Sequence, residues 1–251
     1  MALGVKGVTD PSLETLTGKV EYFPLGQISK PLALLKAAGV HQAVMVGKVQ
    51  HSSLFGGVIP DWRAIKILAA LKDKRTDTIL KAVADEFSKE GIELLSSATF
   101  LAHLLVVKGP LTRRKPTPEE EADIRLGWAA AKAVAGFDIG QTVVVKDGAV
   151  IAVEAMEGTD AAVLRARDIS RSHGQKPSLT IVKVAKPQQD MRFDIPVLGL
   201  DTLTVFAEAG VSALAVEAGS TIIFDKDEFV RRADDQGLAV VGLQNQAGEV
   251  A

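Results

Sequence analysis

Cysteine is absent from the 251 residues. Its absence excludes disulfides, thiolate zinc sites and a cysteine nucleophile, and fits a reducing compartment. A dominant charge is lacking too: 29 Lys and Arg against 31 Asp and Glu leave a formal net charge of −2. No long basic run is interleaved with aromatics, so nucleic acid is not an expected partner. No apolar run approaches the roughly 18 residues of a membrane span. The opening MALGVKGVTD has neither the basic nor the apolar region of a signal peptide. A cytoplasmic protein is expected, with any membrane contact peripheral.

Familiar catalytic signatures are missing as well. The four histidines, His41, His51, His103 and His173, form no H-E-x-x-H pattern, so a zinc site is unsupported. Neither G-x-x-x-x-G-K-[ST] nor G-x-G-x-x-G occurs, which removes the standard nucleotide fingerprints. No G-x-S-x-G elbow marks a serine hydrolase.

What remains is a chain with 47% hydrophobic residues, enough for a substantial core. MALGVKG and GKVEYF read as short strands, and ISKPLALLKAAG as a helix with Ser29 as N-cap and Gly39 as its stop. HQAVMVGKV is a continuous apolar run, expected as a strand buried on both faces of a parallel sheet. The helix DTILKAVADEFSKEG and the strand IELLSS repeat the β–α–β grammar. Before that helix, DWRAIKILAALKDKR sets Trp62, Ile65, Leu68, Ala69 and Leu71 on one side of a helix with bases elsewhere. Such a helix packs on its own sheet or lies on an anionic membrane.

The text then changes to KGPLTRRKPTPE, with three prolines and three consecutive bases. This predicts a linker over 109–118 between an α/β domain at 1–108 and a second at 119–251. The second opens with a helix N-capped by Thr117, its first turn acidic as the helix dipole favours. A hairpin turning on Asp147-Gly148 as a type I′ candidate follows. After it come a helix over 160–171, the strand LTIVKVAK, the helix LDTLTVFAEAG, the strands ALAVEAG and TIIFD, and a last helix to Gly237.

Three stretches could carry chemistry. In QQDMRFDIPV the polar residues alternate; an extended chain would put Asp190, Arg192 and Asp194 on one face, the two acids about 13 Å apart at roughly 3.3 Å per residue. That face is either a solvated row of paired charges or a phosphate cradle. In the cradle, Lys183, Lys186 and Arg192 hold the phosphate while an aspartate binds a metal or orients water. In VEAMEGTDAAVLRARD, Gly158 and Thr159 open a helix whose amides can face an anion, with Glu154, Glu157 and Asp160 available to a divalent cation. In VGKVQHS, Gly47 and Lys48 follow a strand at the usual ligand position of open α/β sheets.

Taken in order, AVMVGKVQ, DTILKAVADEFSKEGIEL, DIGQTVVVKDGAVIAVEAMEGTDAAVLRA, VKVAKPQQDMRFDIPVLGLDTL and ALAVEAGSTIIFDKDE resemble the LpxI-type UDP-2,3-diacylglucosamine pyrophosphatases of lipid A biosynthesis. The resemblance implies water attack on the α-phosphorus, releasing UMP and 2,3-diacylglucosamine 1-phosphate (lipid X). It implies Mg²⁺ (or Mn²⁺), two α/β domains joined by a linker with the lipid product between them, a homodimer, and peripheral contact with the inner membrane.

The family's critical aspartate lies in an R-x-D-x-P element, here Arg192 to Pro196, which makes Asp194 the first catalytic candidate beside Arg192 and Asp190. Asp194 and Asp160 are the expected metal ligands. Lys183, Lys186, Gln141, Gly158, Thr159, Gly47 and Lys48 are the expected substrate contacts. Family members begin with a further strand, a glycine-rich turn and a helix, so the first, Rossmann-like domain is expected to lack a βα piece of roughly thirty residues. The alternative to a hydrolase is a module that holds a nucleotide-sugar or phospholipid headgroup without cleaving it.

Overall fold

The computed structural model describes residues 1–47, 59–72, 76–172 and 178–244; Lys48, His51 and His173 lie outside them. The chain divides into two units, Met1–Thr99 and Phe100–Ala251.

In the first unit, β1 (Ala2–Val5) pairs in parallel with β2 (Val20–Phe23), and β3 (Gln42–Val44) with β4 (Glu93–Leu95). Its helices are α1 (Leu13–Leu16), α2 (Ser29–Ala37), α3 (Trp62–Ala70) and α4 (Thr76–Lys89). Among the described residues these strands form two separate two-stranded sheets, not one Rossmann-like sheet. β3 is three residues long and part-exposed, so the apolar run around it is not buried on both faces. Ser29 does not cap α2. The carboxylate of Asp61 does, accepting from the amides of Ile28 (2.8 Å) and Ser29 (2.6 Å) while its other oxygen caps α3 through Ala64 (2.9 Å). Burial alone would raise the Asp61 carboxyl's pKa, but these amide donors outweigh it and hold the group below its ordinary value.

The second unit is built on the sheet β5-β12-β10-β8-β6-β7. Its strands are β5 (Gly109–Pro110), β6 (Thr142–Lys146), β7 (Ala149–Val153), β8 (Leu179–Lys183), β10 (Val211–Glu217) and β12 (Ala239–Leu243). β8, β10 and β12 run parallel, whereas β6 opposes β8 and β7 opposes β6. The hairpin turns where expected: Asp147 and Gly148 both take positive φ, +50° and +78°, as a type I′ turn requires. β9 (Val197–Leu198) and β11 (Ile222–Ile223) form a separate parallel pair.

Alternation along the strands sorts the core into two layers. Val143, Val145, Val182 and Ala215 face α5 (Pro118–Gly136), meeting Ile124, Ala131 and Ala135. Val144, Ile181, Leu214 and Val216 face the opposite way. They meet Val163 of α6 (Thr159–Ser172), Phe206 of α7 (Leu200–Ala209) and Phe229 of α8 (Lys226–Asp235). Each large apolar side chain so buried contributes roughly 1.5–3 kcal/mol relative to exposure.

The expected linker is not a tether. Within it, β5 pairs antiparallel with β12, and Thr112, 6% exposed, accepts from the amide of Val240 at 2.8 Å. The amide of Arg113 donates to Asp234 (2.7 Å), and Arg114 forks onto Glu120 at 2.9 and 2.6 Å. Burial pushes the Glu120 carboxyl up, but the Arg114 fork and its other donors hold it below the usual range. Glu120 also closes a capping box with Thr117, the expected N-cap. Proline suits the edge position here, and two of the three bases, Arg113 and Arg114, pair with acids at helix ends.

A Cβ on Gly127 of α5 would lie 2.6 Å from Val182 Cγ2 and 3.0 Å from Val145 Cγ2, both in fully buried valines. Gly127→Ala should therefore cost about 1–3 kcal/mol. The expected result is a lower urea midpoint at unchanged m-value; an unchanged midpoint would show that α5 can lift off the sheet freely.

Candidate functional site

Register brings the carboxyl ends of β7, β8 and β10 and the amino end of β6 to one end of the sheet: Lys183 lies opposite Thr142 on one side and Val216 on the other. This is the end at which open α/β sheets bind ligands.

The first cluster is built on Lys183, which is only 8% exposed. Its Nζ donates to Thr159 Oγ1 at 2.8 Å and Thr142 Oγ1 at 3.2 Å, and lies 3.9 Å from Glu154 Oε2. The Thr159 hydroxyl donates in turn to Glu154 Oε1 at 2.8 Å. A buried ammonium is costly unless paired, and these three oxygens supply the pairing. Gly158 enters α6 with φ +85°, which sets Thr159 at the helix's first position. Gln141 lies against the same group: its amide donates to Glu154 at 3.3 Å, its carbonyl accepts from Val184, and its side-chain Oε1 is buried without a partner. The loop holding Gln141 approaches closely because a Cβ on Gly140 would fall 2.0 Å from the Glu154 carbonyl oxygen.

The second cluster is built on Lys186. Its Nζ stands 2.7 Å from Asp138 Oδ1 and 3.3 Å from Asp194 Oδ2. Asp194 reaches this place because residues 190–194 do not form the expected strand. The Asp194 amide donates to the carbonyl of Asp190 (3.0 Å), as does that of Phe193 (3.2 Å), closing a turn. The cause is local: the Asp190 carboxylate accepts from the Arg192 amide and clasps the Arg192 guanidinium at 2.6–3.2 Å. Such side-chain bonds to nearby backbone compete with an extended chain. Gln189 fixes the turn further, donating to the Asp194 carbonyl and accepting from the Lys186 amide, each at 2.6 Å. Extended pairing starts only at β9, directly after Pro196.

A third group holds the first two in place. Glu217 Oε2, at the end of β10, accepts from the Ala185 amide at 2.7 Å and from Lys132 Nζ of α5 at 2.6 Å. Lys132 also donates to the Ala185 carbonyl at 3.0 Å and lies 5.4 Å from the Trp128 ring centroid.

The structure thus joins Lys183 with Thr159, and Lys186 with Asp194, and closes Arg192 onto Asp190. The three acids around α6 do not gather. Glu157 pairs with Arg165 at 2.6 Å, and its own backbone amide first, then that guanidinium, holds its carboxyl below the ordinary range. Glu154 turns to Thr159, and Asp160 is exposed. Among the described residues no group of three or more His, Asp or Glu side chains is placed to hold a metal ion. Asp138 and Asp194 nevertheless converge on one cation, and Mg²⁺ commonly uses only one or two carboxylates beside substrate phosphates and water. In the first unit, Gly47 is exposed with φ +99°. Asp138, Thr142, Lys132 and Glu217 escape the sequence reading. The one textual hint is Asp138, an acid two residues past a helix and two residues before a glycine.

Comparison with known proteins gives the family. Residues 107–241 match the LpxI C-terminal domain and residues 1–104 the LpxI N-terminal domain. The chain belongs to the LpxI family. It is 34% identical over 248 residues, 96% of this chain and 88% of the relative, to the UDP-2,3-diacylglucosamine pyrophosphatase LpxI of Caulobacter vibrioides. A partial likeness reaches the bifunctional purine biosynthesis protein PurH of Roseobacter denitrificans, 33% identical over 52% of this chain, and that of Bacillus cytotoxicus, 29% over 75%. The chain spans only 24% and 40% of those proteins. For this LpxI family member the matched C-terminal domain contains both lysine clusters and the Glu217 clamp.

Glu217→Ala would strand the Lys132 ammonium and the Ala185 amide in a largely buried place, so a loss of about 2–3 kcal/mol is expected by chemical denaturation. The pair Lys132→Met with Glu217→Leu should cost clearly less than the sum of the single changes. Strict additivity would show that the two side chains do not act together.

Proposed function

We propose that this chain hydrolyses UDP-2,3-diacylglucosamine between its phosphates, releasing UMP and 2,3-diacylglucosamine 1-phosphate in lipid A biosynthesis. The observation that carries the reading is the Lys186 ammonium against Asp194, within the R-x-D-x-P element, three residues from the buried Lys183 cluster. The name of the Caulobacter vibrioides relative supports the substrate.

A diphosphate ester resists water because its charge repels nucleophiles, so neutralising that charge is most of the task. Lys183 and Lys186 supply positive charge, and the amino end of α6, with Thr159 at its first position, adds amide donors. Asp194 would hold Mg²⁺ (or Mn²⁺), with Asp160 a second carboxylate, and the ion when bound would offset phosphate charge and make water more acidic. Asp194 would also orient the attacking water. Arg192 and Asp190, by clasping each other, fix the turn that presents Asp194.

The acyl chains call for peripheral contact with a membrane. α3 supports that contact: Trp62 and Ile65 are 63% and 55% exposed, with Ile59 beside them at 76%. Among the described residues no helix is long and apolar enough to cross a membrane.

The direct test supplies UDP-2,3-diacylglucosamine with Mg²⁺ and follows UMP. Release by the native chain is expected to fall at least about 10²-fold in Asp194→Ala and to stop with chelator until Mg²⁺ is restored. Binding without release would replace the hydrolase with a headgroup-binding module.

A further inference from the structure

Asp138 breaks two local rules at once. It follows the C-terminal end of α5 with φ +58°, a left-handed conformation that glycine adopts more readily than any L residue. It also puts a carboxylate at the negative end of the helix dipole, in a helix with no base in its last turn. A residue that conflicts with its local setting is retained for something outside that setting. Here the outside partner is Lys186, which stands closer to Asp138 (2.7 Å) than to Asp194 (3.3 Å).

We propose that Asp138 is a positioning residue, which holds the Lys186 ammonium so that Asp194 is not consumed by it. This rests on the pyrophosphatase reading. One ammonium facing a single carboxylate would neutralise it and fix its oxygens. One ammonium (+1) between two carboxylates (−2) leaves a formal −1, so Asp194 keeps acceptor capacity for water or a cation while Lys186 stays anchored. Without Asp138, Asp194 takes a larger share of the Lys186 ammonium. The productive arrangement, with Asp194 open to water or a cation, is then populated less often.

The test compares the full native chain with Asp138→Gly and Asp138→Asn. Glycine removes the carboxylate while suiting the backbone, so the variant should melt no lower than the native protein; asparagine keeps the shape and tolerates the same φ. Both are expected to lose about tenfold in kcat with little change in KM. Acetylation of Lys186 by a small amine reagent, read by mass spectrometry, should rise severalfold, while the exposed Lys115 reacts as before. If either folded variant keeps native kcat, or labels Lys186 at the native rate, Asp138 is a turn residue and the proposal fails. If the native chain releases no UMP, the pyrophosphatase reading fails on its own; the labelling contrast then still decides whether Asp138 anchors Lys186.

Discussion

The carboxylate of Glu217 is the constraint on which the site depends. It receives the Ala185 amide just past the end of β8 and the Lys132 ammonium from α5. One buried acid therefore fixes the course of the chain between Lys183 and Lys186 and ties it to both a neighbouring strand and a covering helix. Lys183, before this point, turns into the α6 side of the sheet, and Lys186, after it, meets Asp138 at the end of α5. Two cations three residues apart thereby serve two separate groups of acceptors instead of repelling each other over one.

The electrostatics of the two groups differ for a physical reason. Lys183 is enclosed, and its hydroxyl and carboxylate partners satisfy it within the protein; it acts as a fixed part of the sheet's end. Lys186, Asp138 and Asp194 keep 17%, 26% and 31% of their side-chain surface, open enough to exchange partners. A site that binds a polyanion and then releases products needs both kinds of cation: one that shapes the place and one that can respond.

Local chemistry is what the sequence makes legible. The Thr117 cap, the Asp147-Gly148 turn and the apolar strands β6 and β8 all follow from residues within a few positions of one another. Readings fail where the deciding partner is remote or where two local rules compete. Ser29 looks like a cap, yet the carboxylate that caps α2 belongs to Asp61, far along the chain. The alternation at 190–194 has the period of a strand, but the bonds between Asp190 and Arg192 close a turn first. The alternation makes Asp194 a candidate and the resemblance makes it the first one; Asp138 and Glu217 carry no such mark, because a lone acid carries no sign of the lysine it will meet.

The interlacing of residues 109–114 with β12 and α8 has a practical bearing on how the molecule can be divided. A fragment beginning at the acidic start of α5 would leave the outer margin of the six-stranded sheet unpaired and the Val240 amide without its threonine acceptor. Gene dissection of this protein has to cut upstream, near Phe100, so that the proline-rich passage travels with the half it completes.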